Sequence, residues 1–75
     1  MDVTNSIIKS RKERIEKTNK ILQDLMPIGY EKAIATISFN VGVTPSKAKE
    51  YIKILIELND WIVKDEIIKL KPLNP

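Results

Sequence analysis

Between residues 40 and 46 the chain reads Asn40-Val41-Gly42-Val43-Thr44-Pro45-Ser46, and no other stretch constrains the fold as much. Gly42 suits the left-handed position that closes a helix, where a side chain would strain the backbone. Thr44 is a good N-cap, because its hydroxyl accepts a backbone N–H that the first helical turn leaves unpaired. Pro45 then falls at the first helical position, where a missing N–H removes nothing. One helix must stop and another restart within a few residues. The two helices therefore meet at a corner.

The apolar spacing on either side of this corner is helical. Taking about 100° per residue, Ala48, Tyr51, Ile52 and Leu55 point one way along a helix running to about Leu58. Ser46, Lys49, Glu50, Lys53 and Glu57 point the opposite way, and Lys47 lies on a flank. Upstream, Ala33, Ile34, Ile37 and Val41 share one face of a helix over 30–39. A longer helix is predicted over 5–26, opened by Thr4 or Asn5. Ile8, Ile15 and Leu22 recur in it every seven positions, and Ile7, Ile21, Leu25 and Met26 widen the stripe. Met26-Pro27-Ile28-Gly29 stops that helix, since Pro27 has no N–H to donate and Gly29 is free to turn.

After Asn59-Asp60 the period changes. Trp61-Ile62-Val63 and Ile67-Ile68-Lys69-Leu70 read as two β runs around Lys64-Asp65-Glu66, a hairpin over 61–70 too short to stand without the helices. Residues 71–75, with Pro72 and Pro75, read as a tail. The fold class is mainly α with a short β-hairpin, in one domain over 1–75.

Composition narrows the chemistry. Thirteen isoleucines supply the large apolar side chains that a 75-residue core needs. There is no cysteine and no histidine, which removes disulfides, the usual zinc ligands and the commonest general base. No glycine-rich phosphate loop is present, and Gly29 and Gly42 are the two glycines of the chain. The chain therefore reads as a non-enzyme without cofactor, metal or small-molecule substrate. Net charge is +3, mildly basic, which suits a polyanion without requiring one. No apolar run approaches the roughly 20 residues of a membrane span, and the first residues are polar and charged. The expectation is a soluble, cytoplasmic protein.

The stretch Tyr30–Leu70 carries a family resemblance. Ile34-Ala35 and Ile37 in the supporting helix, Val41-Gly42-Val43-Thr44 in the turn, Tyr51-Ile52 and Leu55 in the next helix and Ile62 after it resemble the winged helix-turn-helix family of small archaeal and bacterial DNA-binding domains. The resemblance covers a little over half the chain. It implies three helices plus a wing, with helix 45–58 entering the major groove of double-stranded DNA, as in a small transcriptional regulator. Carried over by position, the DNA-contacting residues are Thr44, Ser46, Lys47, Lys49, Glu50 and Lys53 on the helix, and Lys64 and Lys69 on the wing, with Lys71 near them. The lysines would meet phosphates; Thr44 and Ser46 would bond to phosphate or base edges; Glu50 would accept from a cytosine amino group or repel the backbone. The chain departs from the family pattern before the wing, where Asn59-Asp60 replaces the common glycine. No arginine follows position 14, so the commonest guanine contact is missing.

Plainer readings compete with these. Lysines on a helix face are often only solvated, and Glu13 and Glu16 interrupt the basic run from Lys9 to Lys20, which reads as a wet face. Tyr51 reads as core and Trp61 as packing beneath the wing. The stripe of Ile8, Ile15 and Leu22 either covers the core or pairs with a second copy in a homodimer. The acidic pair Asp65-Glu66 and the missing arginines also suit a protein–protein interaction module in a replication, transcription or repair assembly. A third reading, RNA or single-strand binding, has few aromatic platforms to support it.

Overall fold

The computed structural model describes residues 3–71, and side chains from Ser10 onward. Helix α1 spans Val3–Leu25. At about 1.5 Å per residue it is roughly 35 Å long, longer than the rest of the domain needs. Strand β1 (Ile28–Gly29), helix α2 (Tyr30–Ile37), helix α3 (Pro45–Asn59) and strands β2 (Ile62–Lys64) and β3 (Ile67–Lys69) follow. This is a mainly helical fold with a small antiparallel sheet, laid out like a winged helix.

The corner forms as its residues dictate, with one refinement. Helix α2 does not end cleanly; it widens into a single π-type turn over Ser38–Gly42. The Ser38 carbonyl accepts the Val43 N–H at 3.2 Å, and the Ser38 hydroxyl donates to the Val43 carbonyl at 2.6 Å. Gly42 takes φ 77°. Thr44 then caps α3, its hydroxyl oxygen accepting from the Lys47 N–H at 3.2 Å. At the far end Asp60 is left-handed (φ 55°), and the N–H groups of Asp60 and Trp61 both reach the Ile56 carbonyl. The left-handed role before the wing thus falls to Asp60 and not to Asn59.

The hairpin is part of a three-stranded sheet in the order β1-β3-β2. Ile28 lies opposite Ile68, and Val63 lies opposite Ile68 on the other side. Side chains directly opposite one another share a face; Ile28 and Ile68 are buried on it, while Val63, on the edge strand, stays largely exposed. Lys64, Ile67, Lys69 and Ile62 line the outer side. The hairpin tip is the two-residue turn Asp65-Glu66, both left-handed, at φ 53° and 63°. The Glu66 carbonyl accepts the first N–H of α2, from Tyr30, at 2.7 Å. That bond fixes the tip against the helix and caps α2, whose N-cap Gly29 has no side chain to do so.

The core lies where the faces meet. From α2 come Ala33 and Ile37, from α3 come Ala48, Tyr51, Ile52 and Leu55, and the sheet adds Ile28 and Ile68, with Trp61 beside it. Helix α1 contributes Leu22 and, unexpectedly for a polar residue, Thr18. The Thr18 hydroxyl donates to the Arg14 carbonyl at 2.7 Å, so its burial leaves no unpaired polar atom. Each fully buried isoleucine or leucine contributes about 1.5–3 kcal/mol. Leu25, expected in the α1 stripe, is instead exposed.

Candidate nucleic-acid interface

The solvent side of α3 follows from its buried side. With Ala48, Tyr51, Ile52 and Leu55 turned inward, Ser46, Lys49, Lys53 and Glu57 are all exposed. The amino end of the helix is open as well, since Thr44, Pro45, Ser46 and Lys47 are all solvent-facing. Thr44 uses its oxygen in the cap, which leaves the hydroxyl hydrogen to donate.

Glu50 is held by two cations. Arg11 of α1 donates to it at 2.8 Å, and Lys47 lies 3.4 Å from its other oxygen. These are the ion pairs among the described residues. Both are partly exposed, so each adds at most modest stability. Their electrostatic effect is larger than their energy: the carboxylate that would repel a polyanion is neutralised locally. Lys49 and Lys53 have no ion-pair partner among the described residues, and Lys47 is shared with Glu50.

On the wing, Lys64 and Lys69 sit on the same outer face of the sheet, both exposed. Asp65 and Glu66 stand beside Lys64 at the tip and are also exposed, while Lys69 lies opposite Ile62 at the other end of the hairpin. The eight sequence-derived candidates therefore form two separate groups: six on or before α3, two on the sheet. Arg11 was not among them, because its partner lies 39 positions away and no local pattern announces the pair.

The other exposed apolar groups are distinctive. Phe39, on the π-type turn, is 87% exposed, and Leu58, near the end of α3, is 73% exposed. Of the Ile8–Ile15–Leu22 stripe, Leu22 is fully buried in the core and so is not available to a second copy. Ile15 is half-buried against the core, and the Ile8 side chain lies outside the described residues. Among the described residues no group of three or more acidic side chains could hold a metal ion. No described helix is long and apolar enough to cross a membrane. Comparison with protein-family models, with curated proteins and with solved structures finds no match for this chain.

Proposed function

We propose that this chain is a double-stranded DNA-binding protein of winged-helix type, a small cytoplasmic regulator of transcription that sets α3 into the major groove and works as a homodimer. The observation that carries this reading is the state of the α3 surface. Lys49 and Lys53 are exposed and unpaired on it, its amino end is open, and Glu50 is neutralised by Arg11 and Lys47. Lysines so placed meet phosphates and position a helix without reading sequence. Ser46 and Thr44 supply the hydroxyls that reach base edges or further phosphates. With no arginine on α3, sequence discrimination is weak and shape contributes more than base readout. The reading is of a binding protein, not an enzyme.

The test is a fluorescence-anisotropy titration of labelled mixed-sequence duplexes at low salt. Binding at micromolar protein is expected. Absence of binding to every duplex tried at that concentration rejects the proposal.

One observation favours a second reading, a protein–protein interaction module. Phe39 projects from the corner between α2 and α3, and the wing tip is acidic. An exposed aromatic is a common anchor at protein interfaces. Replacing Phe39 with Ser separates the two: duplex binding that survives unchanged leaves Phe39 for a protein partner.

A further inference from the structure

Helices α1 and α3 run side by side in the same direction, tied at two points. Arg11 bonds Glu50 near the start of the shared stretch, and the Asn59 amide lies 3.4 Å from the Asn19 side-chain oxygen near its end. Between these ties lies an open slot of about 530 Å³, lined by Ile15, Ile54 and Leu55, with Leu58 at its edge. On the same rim stand Lys12 and Glu16, both exposed. Neither makes an ion pair among the described residues. An exposed leucine adjoining an apolar recess makes one contiguous patch, and such patches mark contact sites.

We infer that this slot seats a second copy of the same chain across a twofold axis. A twofold contact uses one patch twice, so that patch must supply both projection and recess, and both signs of charge. This one does. When two α1 helices cross antiparallel about an axis midway between Lys12 and Glu16, Lys12 of each copy faces Glu16 of the other. Leu58 of each copy then comes to the Arg11 end of the other's slot, beside its Lys12. The inference rests on the homodimer part of the reading above and moves its contact from Leu22, which the core uses, to Leu58. Lys49 and Lys53 lie between about 100° and 180° from Ile54 and Leu58 around α3, so the contact leaves them free.

Sedimentation equilibrium on the full chain, from micromolar to millimolar, tests this. The wild-type chain is expected at twice its 8.6 kDa mass. Leu58→Glu and Lys12→Glu are each expected at the mass of one chain, with helical circular dichroism and a cooperative thermal transition retained. Both positions are exposed, and if one variant fails to fold the other carries the test. Combining Lys12→Glu with Glu16→Lys restores opposite charges across the axis and is expected to restore the dimer. A wild-type monomer at millimolar concentration overturns the inference, as does a dimeric Leu58→Glu variant or a double variant that stays monomeric. Duplex binding is followed in parallel. A monomeric chain that still binds duplex removes this inference and the homodimer but leaves the DNA reading, whereas a Leu58-dependent dimer that binds none removes the DNA reading alone.

Discussion

Apart from Lys47, which is paired with Glu50, helix α3 turns two lysines toward solvent, as the wing does, yet the two surfaces are not equivalent. On α3, Glu50 is occupied by Arg11 and Lys47, and the other carboxylate of that face, Glu57, lies toward the far end of the helix, which leaves Lys49 and Lys53, nearer its amino end, to act on whatever approaches. On the wing, Lys64 sits next to Asp65 and Glu66, which have no cation partner among the described residues, while Lys69 lies opposite Ile62 at the other end of the hairpin. The tip cannot readily swing those acids away, because the Glu66 carbonyl is bonded to the start of α2. The same count of lysines therefore gives a basic surface in one place and a balanced one in the other. What decides is which acids are already engaged, and counting charges along the chain does not reveal that.

The backbone draws a parallel contrast. Both the α2–α3 corner and the hairpin tip need left-handed residues. The corner uses Gly42, with no atom within 4 Å of where a Cβ would stand. The tip uses Asp65 and Glu66, which pay the steric penalty of a side chain in that region.

These contrasts can be broken by measurement. The largest effect is expected from Lys49→Glu with Lys53→Glu. Each phosphate neutralised is worth roughly tenfold in affinity near 0.1 M salt, so the pair should lose at least about 100-fold in duplex binding while the fold persists. Lys64→Glu with Lys69→Glu should lose only about tenfold in the same titration, because the neighbouring acids already offset Lys64 and leave Lys69 as the one lysine acting on phosphate. Equal losses from the two pairs would erase the distinction between the surfaces. Gly42→Ala should lower stability by about 1–2 kcal/mol in urea unfolding, through left-handed strain alone, since no neighbour is crowded. Glu66→Gly should raise stability by up to about 1 kcal/mol, because the backbone bond to Tyr30 is kept and the strain is removed. A Glu66→Gly variant that is less stable than wild type would mean that the side chain does something the structure does not reveal. Thr18→Val should change stability by no more than about 0.5 kcal/mol, since the hydroxyl bonds only a carbonyl of its own helix.

Much of the helical part was legible in the sequence. Gly42, Thr44 and Pro45 set the corner through local chemistry, and the inward set Ala48, Tyr51, Ile52 and Leu55 follows from the helical period. The features that escaped depend on distant partners. Ile28-Gly29 reads as a turn after Pro27, and it becomes a strand only because β3, forty residues on, lies beside it. Thr18 lies outside the apolar stripe read from the sequence, and its burial is tolerated because its hydroxyl is satisfied within its own helix. The Arg11–Glu50 pair requires α1 and α3 to lie side by side, which periodicity alone does not specify. For the candidate site, sequence supplied the lysines of α3 and their exposure. The ion pairs that separate available lysines from offset ones came only with the fold.

The central claim is that α3 meets a phosphate backbone through Lys49 and Lys53. The most direct measurement is the salt dependence of duplex affinity for wild type and for the Lys49→Glu, Lys53→Glu variant. If these lysines neutralise two phosphates, the variant's log–log slope should be shallower by roughly 1.8. Slopes that coincide, with affinities that also coincide, would contradict the account.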